Sequence, residues 1–290
     1  MDVKAFTLDD KADPTFNQLL GINNNGVIAG YFGSGADPAH PNKGYTVKPG
    51  YTQNDFMNEN FPNSVQTQVT GINNKNLTVG FYVDPHGNSL GFVDNGGHFT
   101  SVFDSANGGA VPLSGSGQNP AMEQLLGVND KDIAVGFYMG TDGQNHGFTY
   151  DIDHNSFKAV NVSGFTNVTA AAINNDGDIA GFGTDAKGRT EGFVLDSKGK
   201  VTELTGPTGA VSVNALGINK EDEVVGSYMD AQGNTHGFVF DERNGKYTTI
   251  DAGAKTETVI NGLNDKEELV GFYMDAQGNT HGLLIQGSNR

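Results

Sequence analysis

The sequence predicts an all-β fold: a six-bladed β-propeller of four-stranded antiparallel blades, its ring closed by an N-terminal strand that pairs with the last blade. Three observations predict it. A motif with fixed internal spacing recurs six times along the 290 residues. Each copy but the last holds four short apolar runs separated by turn residues, and no run reaches helical length. The first residues of the chain resemble the one run that the last copy lacks.

The repeat has three anchors per copy. The first is the opening residue of G-I-N or a variant: Gly21, Gly71, Gly127, Ala172, Gly217 and Gly262. The second is a glycine after an apolar pair: Gly30, Gly80, Gly136, Gly181, Gly226 and Gly271. The third is the glycine of H-G-F or a variant: Gly44, Gly91, Gly147, Gly192, Gly237 and Gly282. First and second anchors lie nine residues apart in all six copies. Second and third lie 11 apart in five copies and 14 in the first. The nonapeptide M-D-A-Q-G-N-T-H-G stands at Met229–Gly237 and again at Met274–Gly282.

Within the fifth copy, Val213–Ile218, Glu223–Met229, Gly237–Phe240 and Tyr247–Ile250 read as four strands. Asn24-Asn25-Gly26 and Asn175-Asp176-Gly177 supply residues that tolerate positive φ between the first two runs. Asp230-Ala231-Gln232-Gly233 supplies a type I turn with a closing glycine between the second and third. Runs joined this tightly are antiparallel, so each copy is a meander. A meander exposes two faces. Radial packing of 40- to 45-residue, four-stranded copies covers both, which is the period of propeller blades.

In chain order, Lys4–Asp9 (K-A-F-T-L-D) resembles Lys246–Asp251 (K-Y-T-T-I-D), the fourth run of copy five. The sixth copy ends after its third run, so Val3–Leu8 is expected to complete its blade and cover an open edge. Copy one has an enlarged second turn, Gly33–Asn42, and copy two is followed by the connector Asp104–Ala121, rich in Gly, Ser and Pro. Gly287–Arg290 reads as a frayed tail. No boundary divides the chain, and residues 1–290 read as one domain.

The formal net charge of −17 argues against nucleic acid as partner, because phosphate binding needs Lys and Arg. No apolar run is long enough for a membrane helix. There is no cysteine, hence no disulfide framework. No signal peptide is visible, and the composition suggests a secreted or periplasmic protein. A monomer is expected, with no cofactor and no metal.

The string G-I-N-N-x-G-x-I-x-G followed by Y-x-D-x-x-G-x-x-H-G-F is matched by Gly21–Gly30, Gly71–Phe92, Gly127–Phe148, Ala172–Phe193, Gly217–Phe238 and Gly262–Leu283. It resembles the repeats of the probable extracellular repeat, HAF family. The resemblance covers most of the chain and implies export and a β-repeat architecture. It implies no activity. Lys43, Leu90 and Glu191 depart from it, standing where the His belongs.

Candidate chemistry divides into four groups. His146, His236 and His281 hold equivalent places in three blades; hydrogen bonding to each blade's own turn is favoured over a metal, since ligands must converge within about 2 Å of one ion. The D-A-Q-G-N turns are read as turns rather than calcium loops, which need more oxygen ligands. Three residues before the first anchor stand Gln18, Gln68, Gln124, Thr169, Asn214 and Val259; one before stand Leu20, Thr70, Leu126, Ala171, Leu216 and Asn261. On the innermost strands these form a polar ring beside a mixed ring along the central channel. They either bind a small polar ligand or face water.

The segments Gly33–Asn42, Asn58–Gln66 and Asp104–Ala121 are expected to gather on one face over blades one to three. Loops on a rigid scaffold favour function there. Their aromatic and charged candidates are Tyr51, Phe56, Glu59, Phe61, Phe103, Asp104 and Glu123. The leading functional reading is an exported propeller that binds a small polar molecule or saccharide at that face. The alternatives are a lyase, isomerase or hydrolase with its site at the channel mouth, and a structural or adhesive repeat protein.

Overall fold

The computed structural model describes residues 3–105, 120–252 and 257–287. It contains 24 described strands in six four-stranded sheets, each antiparallel throughout. β1 (Val3–Thr7) belongs to the last sheet. Blade one is β2 (Asn17–Ile22), β3 (Ile28–Phe32), β4 (Lys43–Val47) and β5 (Phe56–Asn58). Blade two is β6 (Gln66–Ile72), β7 (Thr78–Val83), β8 (Ser89–Asp94) and β9 (Phe99–Val102). Blade three is β10 (Glu123–Val128), β11 (Ile133–Met139), β12 (Asn145–Asp151) and β13 (Ser156–Ala159). Blade four is β14 (Thr166–Ile173), β15 (Ile179–Thr184), β16 (Thr190–Leu195) and β17 (Val201–Leu204). Blade five is β18 (Ala210–Ile218), β19 (Glu223–Asp230), β20 (Thr235–Asp241) and β21 (Lys246–Ile250). Blade six is β22 (Thr258–Leu263), β23 (Leu269–Met274), β24 (Thr280–Gly287) and β1.

The closure follows the sequence expectation. β1 pairs with β24 from Val3↔Gly287 to Thr7↔Leu283, and the Leu8 amide donates to Gly282 O at 2.9 Å. The resemblance between Asp9 and Asp251 is functional in the fold: each accepts from the histidine of its own blade, His281 Nδ1 at 2.7 Å and His236 Nδ1 at 2.9 Å. Gly287, expected in a frayed tail, is instead paired; residues 288–290 lie outside the described residues.

Each anchor glycine has a steric reason. The innermost strand of every blade carries a register shift just before the first anchor, as at Leu19/Gly21 and Leu125/Gly127. The shifted carbonyl then lies over the second anchor: a Cβ on Gly226 would stand 1.9 Å from Asn214 O. The phenyl ring one residue past the third anchor packs over the same glycine, as Phe238 over Gly226. Phe92, Phe148, Phe193 and Phe238 are all 2% exposed or less, and they sit in the aliphatic layers between blades. At the first anchor, a Cβ on Gly71 would meet Gly127 Cα at 3.0 Å, because neighbouring innermost strands touch around the axis.

Candidate functional site

The third letter of G-I-N closes the ring. Each of Asn23, Asn73, Asn129, Asn174, Asn219 and Asn264 donates its side-chain amide to the backbone carbonyl of the corresponding Asn in the next blade, over 2.9–3.4 Å. The last of the six, Asn264 to Asn23 O at 3.0 Å, joins blade six to blade one. Each Oδ1 meanwhile accepts two amides of its own turn, as Asn129 does from Lys131 and Ile133. All six side chains are buried. This girdle narrows one end of the axial channel.

Behind it the innermost strands wall a cavity of about 320 Å³. Two rings dominate the wall. The mixed ring expected from the sequence is there: Leu20, Thr70, Leu126, Ala171, Leu216 and Asn261. Its two polar members are committed to the next blade's backbone, Thr70 Oγ1 donating to Leu125 O at 2.8 Å and Asn261 Nδ2 to Leu19 O at 2.9 Å. A second ring was not singled out from the sequence: Ile22, Ile72, Val128, Ile173, Ile218 and Leu263, one residue past each first anchor. It is aliphatic throughout. The second letter of G-I-N, isoleucine in four copies and valine or leucine in the other two, is its signal. Among the described residues no charged side chain lines the cavity.

At the opposite end stand the mouth residues. Gln68 and Gln124 line the cavity with Phe81. Gln68 Nε2 donates to Asn42 Oδ1 at 2.8 Å, Gln124 Nε2 to Ser89 Oγ at 3.2 Å, and Asn145 Nδ2 to Thr169 Oγ1 at 3.0 Å. These bonds stitch blades one to four together. Gln18 and Asn214, half-buried, make no side-chain hydrogen bond among the described residues. The expected clustering of loops also holds where it is described: Gln66 Nε2 donates to Gly35 O at 3.4 Å, and Ala121 O accepts from Ser89 N at 2.9 Å. Most of Asp104–Ala121 lies outside the described residues.

The candidates drawn from the loops fall elsewhere. Phe61 stacks on Tyr82 with ring centroids 3.7 Å apart, and Phe103 packs into the same cluster beside Phe92. Tyr51 does not reach the mouth face: its hydroxyl donates to Gly26 O at 2.8 Å, in the turn between β2 and β3 at the other end of the blade. Phe56 packs edge-on against Tyr45. Glu59 enters the layer between blades one and two, where Thr78 Oγ1 donates to it and burial raises its pKa and that of Asp94.

Glu123 has a scaffold role shared by three equivalents. Four residues before the first anchor stand Asn17, Thr67, Glu123 and Thr258, each fully buried. Their oxygens accept the amides of Asp10, Phe61, Asp104 and Ala252, at 2.9–3.1 Å, and so pin the segment entering each blade. Burial lifts the Glu123 pKa to about 7, against the opposing pull of the Asp104 amide. The folded pKa lies above the ordinary value of 4.5. The neutral carboxyl's contribution is therefore complete below about 4.5 and is lost as pH rises through about 7. Glu123→Gln keeps the acceptor and removes the titration. Relative to wild type it should melt equally at pH 4.5 and be more stable by about 2 kcal/mol at pH 8.5. Parallel pH dependence of the two proteins in denaturant titrations would refute this.

The histidines behave as turn supports. His236 Nε2 lies 3.2 Å from Asp230 Oδ2 and His281 Nε2 lies 3.1 Å from Asp275 Oδ2. Burial opposes their charged form, but the flanking carboxylates outweigh it and raise both pKa values. Asp230 also accepts from the Asn234 side chain and from the Gln232 and Asn234 amides, which fills the oxygens a calcium loop would need. Among the described residues no cluster of three or more metal-ligating side chains occurs, and no helix is long and apolar enough to cross a membrane.

No protein-family model matches the sequence, and no curated protein matches it. Solved structures do. A TolB candidate from Agrobacterium tumefaciens aligns with a TM-score of 0.63 at 12% identity, over 99% of this chain and 98% of that one. The β-propeller domain of the Trilobed protease from Pyrococcus furiosus aligns at 0.55 and 11% identity, over 95% and 97%. Aleuria aurantia lectin, solved in complex with Fucalpha1-6GlcNAc, aligns at 0.55 and 10% identity, over 93% and 91%. At these identities the likeness shows the fold: this chain is a six-bladed β-propeller.

Proposed function

We propose that this propeller binds a small, uncharged, largely apolar molecule in its axial channel, entered from the amide-lined mouth. The observation that carries the reading is the cavity itself. Its volume of about 320 Å³ falls within the range of small-molecule sites, and aliphatic side chains dominate its wall. No lining side chain among the described residues could neutralise a ligand charge, and burying an unpaired charge there would be costly. Among the described residues the same wall holds no titratable group, which supports binding over turnover. Saccharides, one expectation from the sequence, are favoured by the lectin among the similar folds but not by this lining, where Phe81 is the only aromatic side chain among the described residues. We also keep the extracellular repeat family and an exported location as part of this proposal, on the strength of the six G-I-N to H-G-F copies.

The test uses N-phenyl-1-naphthylamine, a neutral apolar fluorophore. Wild-type protein should give a saturable, one-to-one fluorescence increase. Leu126→Trp and Leu216→Trp each fill the channel, and should weaken binding about tenfold or more while the melting curve is retained. An unchanged signal in both filled variants would place the probe elsewhere and remove the reading.

A further inference from the structure

The mouth of the channel is sewn on one side and open on the other. From blade one to blade four, the residue three before the first anchor is bonded to a side chain of the preceding blade: Gln68 to Asn42, Gln124 to Ser89, Thr169 to Asn145. From blade four round to blade one the corresponding partners are Thr190 for Asn214, Thr235 for Val259 and Thr280 for Gln18, and no such bond forms.

The polar groups left open to a ligand or water come in cross-strand pairs. Gln18 is paired with Tyr31 across β2 and β3, and Asn214 with Ser227 across β18 and β19. Cross-strand partners share a sheet face. The equivalent pair in blade two, Gln68 and Phe81, lines the cavity, whereas Gln18, Tyr31, Asn214 and Ser227 stand outside its lining, at the corresponding mouth positions. Neither the Tyr31 nor the Ser227 hydroxyl makes a hydrogen bond among the described residues, and both oxygens stay open to solvent although the residues are only 6% and 5% exposed. Between these two pairs blade six presents only Val259 and Phe272.

We infer that the arc of blades five, six and one is the subsite for the ligand's polar head. This rests on the channel reading above and adds an orientation to it. The ligand is amphipathic and neutral. Its head carries both a hydrogen-bond donor and an acceptor, as a carboxamide does, and meets Gln18, Tyr31, Asn214 and Ser227. Its apolar body points down the axis toward the aliphatic ring. Two carboxamides and two hydroxyls can give and accept hydrogen bonds but cannot offset a charge, so the head is neutral for the same reason as the body.

Two probes of nearly equal shape test this: naphthalene-2-carboxamide and 2-ethylnaphthalene, titrated calorimetrically. Wild type should bind the carboxamide about tenfold more tightly than the hydrocarbon. In the double variant Gln18→Leu/Asn214→Leu that ratio should collapse to about one. The loss should fall on the carboxamide, with hydrocarbon affinity held or improved. Equal affinities in wild type, or a ratio that survives the double variant, would overturn the head subsite while leaving the channel as a binding site. Failure of both probes to bind wild type would remove the channel reading and the subsite together.

Discussion

Gly226→Ala should destabilise the protein by about 3 kcal/mol. The added methyl carbon would stand 1.9 Å from Asn214 O, 2.9 Å from Asn214 C and 3.0 Å from Phe238 Cε1. Two of these neighbours are backbone on the innermost strand, where the register shifts between Ala215 and Gly217. Relief requires moving that strand. It carries the Asn214 mouth position, the wall residue Leu216 and, one step on, the girdle residue Asn219. The conformation of Gly226 itself is not the issue, since its φ is not positive. Gly233→Ala is the control. That glycine has φ of +85° but open space around its Cβ, so alanine there should lose only about 1 kcal/mol. The check is a pair of denaturant titrations. If the two variants lose the same stability, close approach of the shifted carbonyl is not what the second anchor serves.

The spacing of nine residues was enough to read a strand, a tight turn and a second strand, because both periodicity and turn chemistry are local. Turn chemistry even tolerated its own variants. Gly26 and Gly177 take positive φ where the sequence places glycine, while Asn76, Asp132, Asp222 and Glu267 take it in the other four blades. Ring closure was legible for a different reason. Lys4–Asp9 and Lys246–Asp251 share a pattern, and the shared Asp turns out to hold the histidine of each blade.

What stayed hidden depends on neighbours far apart in the chain. Asn129 reads as a turn residue, and it is one, but its second role is a bond to Asn174 O, 45 residues away. Glu123 read as a surface candidate because a lone carboxylate usually is one. Only its alignment in space with Asn17, Thr67 and Thr258 reveals a pin under the incoming segment. The mouth amides were identified as a ring, but which of them are free is decided by the preceding blade. Asn42 engages Gln68, whereas Thr280 leaves Gln18 open. A six-fold sequence repeat thus hides a mouth that is not six-fold, and the lack of symmetry is where selectivity for a single small ligand can reside.

The girdle offers the second large effect. Asn129→Asp should cost about 3 kcal/mol at pH 8, and most of that loss should disappear near pH 4. The side chain is 4% exposed, so its exchange is a change in a buried network. Aspartate keeps the Oδ1 that accepts from the Lys131 and Ile133 amides at 3.0 and 3.1 Å, so the local turn persists. It loses the amide that donates to Asn174 O at 3.0 Å, and sets a carboxylate oxygen against that carbonyl instead. Burial and the facing carbonyl both disfavour the charged form, so the introduced carboxyl has a raised folded pKa. Its penalty therefore grows as pH rises through that value and fades below it. Once protonated, the acid can donate its O–H to Asn174 O and restore the link between blades three and four. Subtracting the wild-type curve from the variant's at each pH removes the repulsion common to both chains. A deficit that does not change from pH 8 to pH 4 would mean that Asn129 serves only its own turn, and that the ring is held by apolar packing between blades rather than by its asparagines.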